Sequence, residues 1–271
     1  MTNLDILSAY VGTTQVEKVY LGDDVVWPTT PPVPIYSAIP LTFEINGGGR
    51  IYWGLYNTTG NTHQENAKTI SYSKDGGATW TEITSSPRAT IQVSSGDTIM
   101  FRGNNNTYFE TPDWSCFGGS TARFKVYGNI MSLINGDNFT GLTTLQTGQR
   151  FDNFFSGCTY LTSAENLILP ATGLTNSCYS RMFEGCTRLT TAPELPAAVL
   201  RQSSYYYMFN GCTNLNYIKC LARDMVGNYC TMGWVTDVST TGTFVKRPNM
   251  SSWTRGVNGI PTNWTVVDAD I

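Results

Sequence analysis

The sequence predicts a mainly β protein with short helices (α+β). It divides into a small N-terminal β module, a β-sandwich-like domain and a short repeat solenoid with a C-terminal cap. Three observations predict this. The pattern Phe-x-Gly-Cys-Thr-x-Leu occurs three times, beginning at Phe155, Phe183 and Phe209, and Leu-Pro-Ala follows at Leu169 and Leu195, with a proline-less echo at Leu221-Ala222. The Leu landmarks lie 26 residues apart and the Phe landmarks 28 and 26, a period that marks a solenoid. No such unit buries its apolar face alone, so neighbours stack to share one core. Upstream of the repeats, short runs of period-two alternation are punctuated by Gly, Asn and Asp, as in a sandwich. Aromatic residues make up 13% of the chain and charged residues only 14%, a balance that suits a β-rich, turn-rich protein.

Taken in order, residues 1–27 read as a three-stranded meander: Ala9-Tyr10-Val11, then Val16 to Leu21, then Asp24 to Trp27, with turns at Gly12-Thr13-Thr14 and Gly22-Asp23. A ribbon this small is not stable alone. Its apolar residues Tyr10, Val11, Val19, Tyr20, Leu21, Val25 and Trp27 are therefore candidate anchor contacts on another surface. Residues 28–34 carry four prolines in seven positions and make a stiff spacer. Residues 35–128 form the sandwich-like domain. Its expected strands are 41–45, 50–56, 68–73, 79–83, 90–93, 98–102 and 122–127, with long polar loops at 57–66 and 103–119. Residues 129–235 are the repeat region, 129–150 being its N-terminal cap. Residues 236–271 are a C-terminal cap with strands at 242–245 and 264–267. The third unit, which has Ala222 where the others have proline, is expected to end the solenoid.

The repeats separate positions that recur from positions that vary. Leu161, Leu189 and Leu215 recur, as do Ala164, Ala192 and Ile218, the pair Met182/Met208 and the pair Phe183/Phe209. These build the core. Cys158, Cys186 and Cys212 share one repeat position, and Cys178, Ser204 and Cys230 another, so both sets read as small buried columns. Other positions change freely. Tyr160, Arg188 and Asn214 form one varying set, and Ser163, Thr191 and Tyr217 another. Between the cysteine and methionine positions come Tyr179/Tyr205, Ser180/Tyr206 and Arg181/Tyr207. Varying residues on a fixed scaffold make a presentation surface. The candidate binding residues are Tyr160, Tyr179, Arg181, Arg188, Tyr205, Tyr206, Tyr207 and Tyr217, because aromatic rings and arginine carry contact energy. Two readings stay open: a true binding patch, or a stretch that is part packing and part surface.

Little in the chain points to chemistry. There is one histidine, His63, in a polar loop, and no Cys-x-x-Cys, so neither a metal cluster nor His-based acid–base catalysis has a candidate. Glu165, Glu184, Glu194 and Asp152 show no pairing of the kind glycoside hydrolysis needs and read as solvated surface. Ser73-Lys74-Asp75-Gly76-Gly77-Ala78-Thr79-Trp80 matches an Asp-box, which resembles the hairpins of sialidases and other propellers. It occurs once, and reads as a structural hairpin in which Asp75 bonds turn amides. An Asp-box glycosidase is the least favoured alternative. No catalytic residue, metal ligand or cofactor is expected. The net charge of −3 gives no footprint for nucleic acid, and no apolar run reaches the ~18 residues of a membrane span. The first residues lack a basic and then apolar leader, so the chain is expected to remain in the cytoplasm, or to leave it by lysis or within a particle. Seven cysteines, an odd number, argue against a full disulfide framework.

The unit Met182-Phe183-Glu184-Gly185-Cys186-Thr187-Arg188-Leu189-Thr190-Thr191-Ala192-Pro193-Glu194-Leu195-Pro196-Ala197 resembles the BspA-like leucine-rich repeats. More narrowly, it is similar to proteins encoded by gut Bacteroides-type bacteria, their phages and prophages. The likeness extends to Phe124–Leu133 and to Gly259–Val266, and the opening Val11–Asp23 is similar to short modules at the starts of phage tail and virion proteins. The resemblance implies a leucine-rich-repeat solenoid in a virion surface protein, a head fibre, tail fibre or tail appendage. Residues 1–34 would dock on other virion proteins, and the repeats would contact a host-surface glycan or protein. A fibre role allows a homo-oligomer such as a trimer, although no heptad repeat marks a coiled coil. The alternative is a BspA-like adhesin of the bacterial cell surface.

Overall fold

The computed structural model describes residues 10–11, 14–15, 19–21, 24–27, 35–57, 67–105, 113–146, 148–170 and 173–271. Met1–Ile35 and Tyr36–Ile271 are two compact units. In the first, β1 (Tyr10–Val11) pairs antiparallel with β2 (Thr14–Gln15), and β3 (Val19–Leu21) pairs antiparallel with β4 (Asp24–Trp27). Thr14 thus begins a strand where a turn was expected. All seven candidate anchor residues lie on β1, β3 or β4. The proline-rich spacer at 28–34 lies outside the described residues, as does His63.

Among its described residues the second unit is mainly β, with one short α-helix and a β-solenoid of about four turns. Its strands open with β5 (Leu41–Gly47), β6 (Gly49–Asn57), β7 (Thr69–Ser73), β8 (Thr81–Thr84), β9 (Ala89–Val93) and β10 (Thr98–Arg102). These follow the expected runs closely. Leu41, Phe43 and Ile45 on β5 are all buried, as period-two alternation requires. One feature departs from the sequence reading. The supposed loop at 103–119 contains β11 (Asp113–Cys116), which pairs antiparallel with β6. Its alternation is too brief to read against the polar residues around it. The expected cap at 129–150 holds α1 (Ser132–Asn135), whose buried Ser132 hydroxyl accepts from Leu41 N and donates to Phe101 O, both at 3.0 Å.

The solenoid strands are β13 (Leu161–Ile168), β14 (Thr191–Leu195), β16 (Tyr217–Cys220), β18 (Thr243–Lys246) and β19 (Thr265–Asp268), with the short parallel pair β15 (Val199–Leu200) and β17 (Asp224–Met225) alongside. Between the two halves runs β12 (Arg123–Asn129). It pairs antiparallel with β5 on one edge and parallel with β13 on the other. The outcome is a single ten-stranded sheet in the order β19-β18-β16-β14-β13-β12-β5-β10-β7-β8, parallel as far as β12 and antiparallel beyond it. β6, β9 and β11 form a separate three-stranded sheet.

The third unit does not end the solenoid. β18 continues the parallel ladder in register on β16, and β19 continues it on β18. The missing proline at Ala222 is immaterial because the ladder is carried by backbone groups, and Trp234 takes over as core filler. Its indole stacks on Tyr205 (centroids 6.2 Å apart) and on Trp253 (5.4 Å).

The core is also one body. Phe43 meets Phe101, Phe117 and Phe124 at 4.6–4.8 Å. Phe117 stacks on Phe155, Phe155 on Phe183 and Phe183 on Phe209, at 6.0, 5.4 and 5.6 Å. The phenylalanines that open the repeat motif therefore form a ring stack that runs into the antiparallel half. Each such pair contributes ~0.5–1.5 kcal/mol beyond its buried area.

Candidate functional site

Opposite its strand, each coil carries a turn segment: residues 151–157, 177–185, 203–211 and 229–237. These segments hydrogen-bond to one another as a second ladder. Phe155 N donates to Met182 O, Phe183 N to Met208 O and Phe209 N to Trp234 O, at 2.8–2.9 Å, and the intervening alternate residues do the same. Within a segment, successive turns close by bonds such as Glu184 N to Arg181 O (3.1 Å) and Cys186 N to Phe183 O (3.0 Å). Such a train needs a left-handed residue at every fourth place. Gly157, Gly185 and Gly211 supply one, with φ of 71°, 72° and 74°, which is why glycine sits in the motif. The motif's cysteine has a role of its own. The Sγ–H of Cys158, Cys186 and Cys212 donates to Phe117 O, Phe155 O and Phe183 O, at 3.2, 3.1 and 3.0 Å, adding a further bond to a buried carbonyl of the layer before.

The turn ladder brings chosen side chains into columns. One column reads Asp152, Ser180, Tyr206, Met232, and its neighbour Asn153, Arg181, Tyr207, Gly233. Here the sequence-predicted binding residues separate. Arg181, Tyr206 and Tyr207 come together. The Arg181 guanidinium lies 5.2 Å from the Tyr206 ring centre and 4.9 Å from that of Tyr207, and the two rings meet edge-on at 4.5 Å. Arg181 Nη1 also donates to both carboxylate oxygens of Glu184, at 2.9 and 2.7 Å, and Asn210 Nδ2 donates to Glu184 Oε1 at 2.8 Å. Burial works against charge on Arg181. The hydrogen bond and negative charge of Glu184 outweigh it and leave the guanidinium pKa above its ordinary value. The Tyr207 ring lies over Gly233, where a Cβ would come within 2.7 Å of it.

Tyr160 and Arg188 pair elsewhere, at the corner between turn segment and strand, with the guanidinium 5.0 Å from the ring centre. Tyr217 stands on β16, on the strand side of the coil. Tyr179 and Tyr205 are not surface residues at all. Both are 1% exposed. They stack in the interior between Phe151 and Trp234, because the alternation of the turn segment aims their positions inward while Tyr206 and Tyr207 face out. The stretch is thus part packing and part surface.

Two further features depart from the sequence reading. Asp152 was expected to be solvated, yet it is 8% exposed and its Oδ1 has no hydrogen-bond partner. Burial pushes its carboxyl up from 3.8 to about 7, against the pull of Arg150 and Arg181. The role of Glu184 in gripping Arg181 and Asn210 was also missed. The i, i+3 spacing from Arg181 to Glu184 was the available signal.

The Asp-box segment closes as a hairpin. Asp75 accepts from Thr79 N (2.9 Å), Thr79 Oγ1 (2.5 Å) and Ser73 Oγ (2.7 Å). The Thr79 hydroxyl above all holds its carboxyl down at about 2. Trp80 Nε1 donates to Gly77 O at 2.9 Å, and the Arg102 guanidinium lies 4.1 Å from the Trp80 ring centre. Among the described residues no group of three or more His, Cys, Asp or Glu could hold a metal ion, and no helix is long and apolar enough to cross a membrane.

No family model, no curated protein and no solved structure matches this chain.

Proposed function

We propose that this protein is a structural component of a phage virion, a head fibre, tail fibre or tail appendage. In this reading residues 1–34 dock on other virion proteins, and the repeats, as a BspA-like leucine-rich-repeat solenoid beside a sandwich-like domain, present a binding surface to the host. The observation that carries the binding half is the partly exposed group Arg181, Tyr206 and Tyr207, with Met232 exposed on the next coil. Inward positions recur from coil to coil, while these outward ones change and gather aromatic and arginine side chains. Interface energy concentrates in such residues. The virion half rests on the resemblance of Val11–Asp23 and of the repeat unit to virion proteins.

The test is mass spectrometry of purified virions from phages of gut Bacteroides-type hosts, with a chain lacking residues 1–34 examined alongside. Peptides from this chain at stoichiometric abundance support the reading. Their absence from particles, with the chain found on cell envelopes, would replace it with a bacterial adhesin. A truncated chain that still assembles onto particles would sink the docking role of residues 1–34.

A further inference from the structure

We infer that the ridge formed by Arg181, Glu184, Tyr206, Tyr207, Asn210 and Met232 binds an uncharged oligosaccharide lying along the solenoid axis. This deepens the proposed binding surface and rests on it. Three observations point to that ligand class.

Charge is the first. Arg181 and Glu184 neutralise each other, Arg181 Nη1 donating to both carboxylate oxygens, and Asn210 adds a third bond to the same carboxylate. The ridge therefore offers neither a spare cation for phosphate, sulfate or sugar acid nor a spare anion for a basic peptide. A carboxylate accepts about four hydrogen bonds, and three bonds, two from Arg181 and one from Asn210, occupy this one. One acceptor position remains for a neutral hydroxyl.

Shape is the second. The Tyr207 ring is held over Gly233 and meets Tyr206 edge-on at 4.5 Å, while the Met232 side chain continues the line, 38% exposed. Fixed aromatic faces beside a preset hydrogen-bonding group match a pyranose, which carries C–H bonds on its faces and hydroxyls on its rim. Tyrosine gives such contact at low entropic cost.

Size is the third. From Arg181 to Met232 the ridge crosses two coil spacings, about 10 Å at ~4.8 Å per strand. A stable protein partner needs ~800 Å² on each side, far more than this strip. One coil spacing is close to the length of one sugar residue, so about three residues fit along three coils.

The experiment uses the full chain on an array of linear gluco-, galacto- and manno-oligosaccharides of one to six residues, neutral and carboxylated. Attachment to host cells is measured before and after periodate oxidation of their glycans. Binding to neutral chains is expected, rising to about three residues and then level. Tyr206→Ala and Met232→Ala should each weaken it about tenfold, a loss of ~1.4 kcal/mol, and Glu165→Gln should leave it unchanged. Thermal melts confirm that each variant folds. Binding only to carboxylated sugars, or equal binding by the Tyr206 and Met232 variants, overturns the inference. Cell attachment that survives periodate means a protein receptor and overturns it while leaving the proposed function standing. No attachment to any host cell removes both.

Discussion

Asp152 illustrates how little a residue's type says about its state. A carboxyl between Phe151 and Asn153 reads as surface, yet the turn ladder buries it beside Arg150, Ser180 and Arg181. Its folded pKa, about 7, lies above the ordinary 3.8, so the folded state holds the proton more tightly than the unfolded chain. Its contribution to stability is therefore fully present below about pH 4 and is lost as pH rises through about 7. Asp152→Asn should remove that dependence. Relative to wild type, the variant should gain stability between pH 4 and pH 8, by at most ~2–4 kcal/mol. Melts of both proteins at the two pH values test this, and an unchanged difference refutes it. The thiols make a second residue-scale case. All seven cysteines are free and buried. Burial pushes Cys116 up to about 11 and Cys220 up to about 12, which leaves almost no thiolate at neutral pH. A chromogenic disulfide reagent should label none of the seven in the native protein and all in denaturant. Rapid native labelling of even one would contradict the packing described.

At the scale of elements, the repeat motif is explained part by part. Its phenylalanine stacks on the phenylalanine of the next coil, its glycine takes the left-handed turn position, its cysteine donates to the preceding layer and its leucine opens the buried side of the strand. Phe155→Ala should be strongly damaging, because Phe155 touches Phe43, Phe117, Phe154 and Phe183 and so links the two halves of the core. A loss of ~3–5 kcal/mol is expected, roughly 10 °C in Tm, measurable by calorimetry. At the other end of β12, Gly128 has φ 85°, and a Cβ there would lie 2.2 Å from Pro40 O. Gly128→Ala must push backbone against backbone, and a cost of at least ~2 kcal/mol is expected from strain and clash together. A variant melting within a degree of wild type would disprove the close approach. Elements were legible where they repeat or alternate, as in β5, β10 and the three motif copies. They were not legible where identity changes while backbone geometry persists. The fourth turn segment keeps the ladder with Met232, Gly233 and Trp234 in place of Tyr206, Tyr207 and Met208, and only Cys230, in register with Cys178, betrays it.

Across the whole second unit, the ten-stranded sheet and the phenylalanine stack cross residue 128 without a break. Repeat arrays alone unfold as weakly coupled neighbours. Here β12 belongs to both halves, so residues 36–271 expressed alone should show one cooperative thermal transition, with near- and far-ultraviolet dichroism lost together. Two separated transitions would mean that the antiparallel half and the solenoid fold independently.

The sequence by itself determined the β-rich class, the period of the solenoid and the inward identity of the recurring Leu, Phe, Met and Cys positions. Periodicity reports which side of a coil is buried, and burial tolerates few residue types. Tertiary structure alone decided which varying residues meet. Tyr205 and Tyr206 are neighbours of one type, yet one fills the core and the other joins Arg181 on the surface. That choice is made by backbone turns that bond to the next coil some 26 residues away, and no local property of two adjacent tyrosines encodes it.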